Sequence, residues 1–178
     1  MAMAAKPERR SVQDAETIAE HMPDTGKADL RLWLRLLACT NMIEAEIRGR
    51  LRQTFDVTLP RFDLMAQLER EPEGLRLSDL SRRMMVSNGN VTGLVDRLAG
   101  EGMIERIASQ EDRRVFRVKL TKEGRAAFQE MAKVHEGWVA DMFADLEPED
   151  VDRLMSQLRL LKSSVTRSQE EKTRDRNS

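Results

Sequence analysis

The most informative stretch of the chain is residues 86–124, VSNGNVTGLVDRLAGEGMIERIASQEDRRVFRVKLTKEG. Early in this stretch, apolar residues recur at the i, i+3, i+4, i+7 spacing that gives a helix one apolar face: Val91, Leu94, Val95 and Leu98. Ser87 can cap the start of this helix, and Gly100 and Gly102 mark its end. The pattern therefore predicts a helix over residues 87–99.

A shorter helix is predicted immediately before it. Ser78 can cap a segment that contains Leu80, Met84 and Met85, and about three or four residues separate the two helices. This spacing is typical of a helix-turn-helix.

Further along the chain, apolar residues recur at every second position instead of at helical spacing. Phe116, Val118 and Leu120 alternate with polar neighbours, as the residues of a half-buried strand do. Residues 103–108 precede them across the polar turn 109–112, so the two segments predict a hairpin with arginines at its tip. A helix-turn-helix followed by such a hairpin is a winged helix-turn-helix.

Helices are predicted on both sides of this unit. The stretch 27–55 has a candidate buried stripe of Leu30, Leu34, Leu37, Ile43, Ile47 and Leu51, and the stretch 58–69 buries Phe62, Met65 and Leu68. Thr121 can cap a helix over 122–143. A last helix opens at residues 147–149, and its 3-4-3-4 spacing predicts a coiled-coil seam of Val151, Leu154, Leu158, Leu161 and Val165.

The expected fold is mainly α, a winged helix-turn-helix with a two-stranded wing plus a helical dimerisation domain. The expected divisions are a mobile N-terminal arm (1–26), a long first helix (27–56), the winged helix-turn-helix (57–121), two further helices that include the coiled-coil seam (122–167) and a polar, frayed tail (168–178).

Charge is distributed unevenly along the chain. The 178 residues carry 30 Lys and Arg against 31 Asp and Glu, a near balance that by itself argues against a nucleic-acid binder. Residues 75–121, however, contain nine basic and six acidic side chains, and eight of the nine are arginines. Arginine suits phosphate and base-edge recognition, so the local excess indicates where DNA would bind.

Several classes of function are disfavoured. Aromatic residues make up 4% of the chain, too few for a base-stacking platform. No apolar run is long enough for a membrane span and no secretory signal is visible, so we expect a cytoplasmic protein. His21 and His135 lack partners at metal-ligand spacing, and no nucleophile–base pair is evident. We expect no enzyme, no metal and no cofactor.

The helix at 87–99 can present short polar groups to the bases of a major groove. Its candidate DNA contacts are Ser87, Asn88, Asn90, Thr92 and Arg97, and Arg113 or Arg114 of the hairpin tip can reach a minor groove or a phosphate. Gly89 and Gly93 lower helix propensity, which close approach of the backbone to DNA would explain. The alternatives are that Asn88-Gly89 forms a hairpin turn, and that the arginine-rich tip is only solvated surface.

The motifs VTxLVDRL, EGxIER and DRRxxxVxLTxxG, with LPRFDLMAQL upstream, resemble the MarR family of winged-helix repressors over about residues 30–165. The resemblance implies a bacterial, nucleoid-associated homodimer on double-stranded DNA, with Asp112 and Arg114 as the functional wing pair. It also implies that residues 27–56 and 122–167 form the dimer, with a ligand pocket beside the first helix. The chain departs from the family pattern in having Met85 in the turn, Gly93 in the recognition helix, and Ser81 in the first helix of the motif.

The segments 31–47 and 55–68 most resemble the branch that controls hydroxycinnamate and related aromatic-acid catabolism. That branch implies an effector that is an aromatic acid or its CoA thioester. The candidate ligand residues are Arg31, Trp33, Arg35, Asn41 and Arg61. The alternative is that the two α-helical arginines form a solvated face and Trp33 belongs to the core.

The sequence therefore predicts a repressor that binds a pseudo-palindromic operator as a homodimer and is released by such an effector. Two alternatives stay open. One is a dimeric helical adaptor that binds protein rather than DNA. The other is a redox-sensing repressor acting through Cys39, although the apolar helical surroundings of this cysteine favour inert packing.

Overall fold

The computed structural model describes Thr17, residues 27–108 and residues 116–176. In chain order the elements are α1 (Ala28–Phe55), α2 (Leu59–Glu69), β1 (Leu75–Arg76), α3 (Leu77–Met84), α4 (Asn88–Gly100), β2 (Ile104–Ala108), β3 (Phe116–Leu120), α5 (Lys122–Met142) and α6 (Pro148–Arg176). The chain divides into two compact units, residues 1–137 and residues 138–178. The predicted fold class, mainly α with a winged helix-turn-helix, is confirmed.

The two predicted strands of the wing are confirmed, and in the described part of the chain a third strand that was not predicted joins their sheet. β3 lies in the centre and pairs antiparallel with both neighbours, in the order β1-β3-β2. β2 and β3 pair from Ile104 opposite Leu120 to Ala108 opposite Phe116. β1 consists of only two residues, too few to show a period of two in the sequence.

A single apolar core occupies the first unit. Its fully buried large side chains are Leu51, Leu64, Met65, Leu68, Leu80, Val91, Val95, Leu98 and Val118. Burial of each such side chain contributes about 1.5–3 kcal/mol. The predicted stripe of α1 is buried only towards its end, at Ile47 and Leu51, whereas Leu30 is 46% exposed. The expectation that Leu30 is buried is wrong for the single chain, because nothing in its described part covers that end of α1.

The ring of Phe62 joins α2 to α5. Its centroid lies 5.4 Å from that of Phe128 and 4.9 Å from that of His135. Partial burial lowers the pKa of His135 below its ordinary value. Burial thus favours the neutral imidazole, which packs against the Phe62 ring.

α5 begins in direct contact with the start of the hairpin. The Thr121 N–H donates to the Met103 carbonyl at 3.0 Å, and its hydroxyl donates to the Gly102 carbonyl at 2.7 Å. The Gly124 N–H in turn donates to the Thr121 hydroxyl at 2.9 Å, which confirms Thr121 as the cap of this helix. A Cβ atom at position 124 would lie 1.8 Å from the Met103 carbonyl oxygen. Only glycine allows this approach.

α6 belongs to the second unit, and the described side chains of residues 138–176 are all exposed or partly exposed. The expectation of a frayed tail from Ser168 is wrong, because α6 continues to Arg176. Glu170 and Arg174 stand at the i, i+4 spacing that stabilises a helix. In the part of the chain that the structure describes, no helix is both long enough and apolar enough to cross a membrane.

The contact at Gly124 gives a first prediction. Gly124→Ala should lower the free energy of unfolding by about 3 kcal/mol or more, because relief of this overlap requires backbone movement. Chemical denaturation monitored by circular dichroism measures the change. Gly49→Ala is the control, since Gly49 lies inside α1 and a Cβ there meets nothing within 4 Å. It should raise stability by up to about 1 kcal/mol. Equal effects of the two substitutions would contradict the packing described.

Candidate nucleic-acid interface and effector cavity

α4 separates its apolar face from a polar one. Val91, Val95 and Leu98 are buried, whereas all five candidate DNA contacts of the helix region are exposed: Ser87, Asn88, Asn90, Thr92 and Arg97. The Ser87 side chain accepts from the backbone N–H of Asn90 at 3.4 Å, as expected for an N-cap. The short side chains of the first turn, including those of Asn88 and Asn90, are therefore open to solvent.

Two of these residues form side-chain hydrogen bonds to backbone carbonyls of α4 itself. The Thr92 hydroxyl donates to the Asn88 carbonyl at 2.9 Å, and the Arg97 Nε donates to the Gly93 carbonyl at 3.1 Å. The bond from Nε holds the guanidinium along the exposed face of α4. A Cβ at Gly93 would lie 3.9 Å from an Arg97 nitrogen, an ordinary van der Waals contact, so this arrangement does not require glycine.

The turn before α4 is a Schellman motif. Its two backbone bonds run from the Met85 N–H to the Arg82 carbonyl at 3.3 Å and from the Val86 N–H to the Ser81 carbonyl at 3.1 Å. The Ser81 hydroxyl adds a bond of 2.5 Å to the Val86 carbonyl. Ser81 thus stabilises the turn that sets the angle between α3 and α4. Met85, predicted within the helix, instead follows it with its side chain 91% exposed.

An ion pair links α4 to the sheet. Asp96 of α4 pairs with Arg106 of β2, and the same guanidinium lies 5.1 Å from the ring centroid of Phe116 in β3. One arginine thus contacts the helix and both long strands. These three residues hold the strands of the hairpin beside α4. Sequence analysis missed this role because it depends on a contact across the fold.

Several arginines of residues 75–121 form ion pairs with carboxylates of the same unit. Arg82 pairs with Asp79, and Arg83 pairs with Glu71 at 2.8 Å. Arg117 donates instead to the Gly74 carbonyl at 3.4 Å. The count of arginines between residues 75 and 121 therefore overstates the positive charge that is open to a phosphate.

The predicted wing contacts Asp112, Arg113 and Arg114 lie outside the described residues. The structure describes β2 and β3, whose last pair is Ala108 opposite Phe116. These three contacts stay predictions.

The predicted ligand residues do not come together within one chain. Arg31, Trp33, Arg35 and Asn41 lie in the first half of α1, where Trp33 is 57% exposed and so is not a core residue. Arg61 lies in the first turn of α2, next to the end of α1. At the rise of an α-helix, Arg31 and Phe55 are about 36 Å apart along α1. Cys39 is also exposed, so the expectation of inert packing is wrong.

Arg61 borders a cavity of about 200 Å³. The lining residues are Phe55, Val57, Arg61, Met65, Met103, Ala127, Glu130 and Met131. An Arg61 terminal nitrogen pairs with Glu101 at 2.5 Å, whereas its Nε is buried without a hydrogen-bond partner. Glu101 directly follows α4, and its N–H donates to the Arg97 carbonyl at 3.0 Å. The pair therefore ties α2 to the C-terminal end of α4.

Comparison with known proteins agrees with this architecture. A model described as MarR family matches residues 57–116. The transcriptional activatory protein BadR of Rhodopseudomonas palustris is 28% identical over 131 residues, which cover 72% of this chain and 74% of BadR. FabT of Streptococcus pneumoniae, solved in complex with DNA, has 24% identity and a TM-score of 0.65, with 77% of this chain and 96% of FabT covered, and so shows likeness of fold.

A MarR family transcriptional regulator from Silicibacter pomeroyi is more similar in sequence. It shares 32% identity with a TM-score of 0.68, and the match covers 81% of this chain and 99% of that one. These relatives are regulators of transcription rather than enzymes. With the family model covering the helix-turn-helix and most of the hairpin, the match shows that this chain is a DNA-binding transcription regulator of the MarR family.

Proposed function

We propose that the protein binds a pseudo-palindromic operator as a homodimer, represses transcription there, and is released by a small aromatic carboxylate or its CoA thioester. The observation that carries the DNA contact is the exposed N-terminal half of α4. There the fold leaves two asparagines open to solvent and includes two glycines that packing does not require.

In this proposal α4 enters the major groove by its N-terminus. Asn88 and Asn90 read base edges, since an asparagine amide can pair with the N6 and N7 atoms of adenine. Thr92 and Arg97 lie further along the same exposed face. Asp112, Arg113 and Arg114 act at the wing, whose strand β2 the Asp96–Arg106 pair holds beside α4.

Gly89 gives the sharpest argument for close backbone approach. A Cβ at this position meets nothing within 4 Å, and its φ is not in the left-handed region. The folded chain therefore has no steric need for glycine here, although glycine weakens a helix by about 1 kcal/mol relative to alanine. A DNA backbone or base at van der Waals distance explains the residue.

Gly89→Ala should weaken binding to the operator by about fivefold or more, because overpacking costs roughly 1–3 kcal/mol. The same change should leave thermal stability equal or higher. Fluorescence anisotropy with a duplex selected by the wild-type protein measures the affinity. Gly100→Ala is the matched control, since it lies at the far end of α4 and a Cβ there also meets open space.

Equal affinities of the two variants would contradict the approach of α4 by its N-terminus. Wild-type affinity should also fall steeply with salt, because phosphate contacts release counterions. Failure to bind any duplex would favour the adaptor alternative.

The homodimer is supported by exposed apolar side chains. In α6 the residues Val151, Leu154, Leu158 and Val165 are 39–49% exposed and recur at the spacing of a coiled-coil seam. A contiguous exposed apolar stripe of this kind marks an interface. The same stripe on a second copy is a complementary partner, as a two-fold interface requires.

Leu158→Glu should shift the protein from dimer to monomer, because it places a charge in the apolar seam. Sedimentation velocity measures the mass. Ser163→Glu adds the same charge to the opposite face of α6 and should leave the dimer intact. A wild-type monomer at micromolar concentration, or dissociation by both substitutions, would contradict the seam.

The effector site of the proposal is the cavity beside Arg61. Its walls are mostly apolar, and the buried Nε of Arg61 is an unused donor that a ligand carboxylate can satisfy. A carboxylate there competes with Glu101 for the guanidinium. Since Glu101 directly follows α4, loss of this ion pair would change how the end of α4 is held and thereby weaken DNA binding.

The cavity size limits what enters it. At about 200 Å³ it is smaller than the roughly 300–1,000 Å³ of sites for drug-sized ligands, yet an engineered cavity of about 150 Å³ binds benzene. An aromatic acid, or the aromatic end of a thioester, suits this space. A CoA group would extend outside it, and Arg31, Trp33, Arg35 and Asn41 remain its predicted contacts.

Arg61→Gln should weaken binding of a hydroxycinnamate about tenfold or more, since a hydrogen bond to a charged group contributes roughly 1.5–3 kcal/mol. Isothermal titration calorimetry measures the affinity of the free acid and its CoA thioester. Arg35→Gln is the control for the free acid, because Arg35 lies far from the cavity along α1.

Loss of affinity in Arg35→Gln alone would move the site to the first half of α1. Absence of binding by either ligand would contradict the effector class. In a reporter strain the ligand should raise expression from the operator, whereas a fall would indicate activation, the activity for which BadR is named.

A further inference from the structure

Met85 has the most exposed large apolar side chain among the described residues. It is 91% exposed, whereas the next, Leu160, is 65% exposed. Its backbone is left-handed, with φ 54° and ψ 36°, at the helix-end position where glycine is usual. Both features are unfavourable for an isolated chain, since methionine has a Cβ that disfavours this conformation and an apolar surface that water hydrates poorly.

The fold makes no use of this side chain. The bonds of the turn come from the backbone of Met85 and Val86 and from the Ser81 hydroxyl, and glycine at position 85 would keep all of them. At 91% exposure the thioether packs against almost nothing. A residue that is strained and serves no internal contact is a candidate for an external one.

The position of Met85 indicates what that external contact is. Met85 stands two residues before the N-cap Ser87 and three before Asn88, so it borders the end of α4 that faces the bases in the proposed function. On its other side, three residues earlier, the Arg82 side chain is 77% exposed although it pairs with Asp79. The apolar Met85 side chain thus lies between an exposed arginine and the side-chain amides of Asn88 and Asn90, which suit base edges.

We propose that Met85 contacts the C5-methyl group of a thymine at the edge of each operator half-site and thereby selects thymine there. The methyl group of thymine is the one apolar feature that base edges present in the major groove. The inference rests on the proposed entry of α4 into that groove. It adds an apolar contact to the hydrogen bonds of Asn88 and Asn90.

Replacing thymine by deoxyuridine tests the contact directly, because it removes only the methyl group. With a duplex selected by the wild-type protein, each thymine is replaced in turn and the affinity is measured by fluorescence anisotropy. At one position per half-site the wild-type affinity should fall about fourfold, the effect of burying one methyl group. Met85→Gly should bind the unmodified duplex at least fourfold more weakly and ignore the replacement at that position.

Asp56→Gly is the matched control. Asp56 is the other described non-glycine residue with positive φ, at 53°, and it ends α1 rather than α3. Both variants should melt at the wild-type temperature or higher, so weaker binding cannot reflect unfolding. Only Met85→Gly should lose the response to deoxyuridine.

The outcomes separate this inference from the proposed function. If the wild-type protein binds no duplex, both are overturned. If it binds, and Met85→Gly retains wild-type affinity and the full response to deoxyuridine, only the role of Met85 is overturned. A loss of response in Met85→Gly that Asp56→Gly does not share establishes the contact.

Discussion

The first unit depends on one contact between two stretches of backbone. The first turn of α5 lies so close to the Met103 carbonyl that position 124 has no space for a side chain, and Thr121 bonds both Gly102 and Met103 at the same point. The hairpin starts on one side of this junction and the long helix on the other. The orientation of the wing is therefore set by a spacing requirement at residues that have no role in recognition themselves.

Sequence periodicity predicted the elements that have an internal partner. The stripe of α4 and the alternation of β3 are visible because one face of each packs on the same core. β1 was missed, since two residues show no period and the strand forms only where Gly74, at φ 78°, brings the chain against Val118. At Leu30 of α1, the pattern correctly marked an apolar face but could not tell that the single chain leaves it exposed.

The candidate site was predictable in its polar face but not in its electrostatics. The composition gives the number of arginines but not which of them form ion pairs with carboxylates in the folded chain. Arg83 and Arg106 both form such pairs. Arg61 shows the same limit of sequence-based prediction for the ligand residues. It was grouped with Arg31 and Arg35 by charge, yet the length of α1 separates them, and its actual partner Glu101 is 40 residues away in sequence.

The order of strands has a consequence for behaviour at high local concentration. Because β3 is central, the long outer edge of the sheet belongs to β2, where Glu105 and Arg106 are exposed and charged. Short, charged edges are poor templates for further strand pairing. Molecules bound next to each other on a duplex therefore do not pair their β2 strands into a continuous sheet. Contacts between neighbouring molecules then use other surfaces, which can separate reversibly.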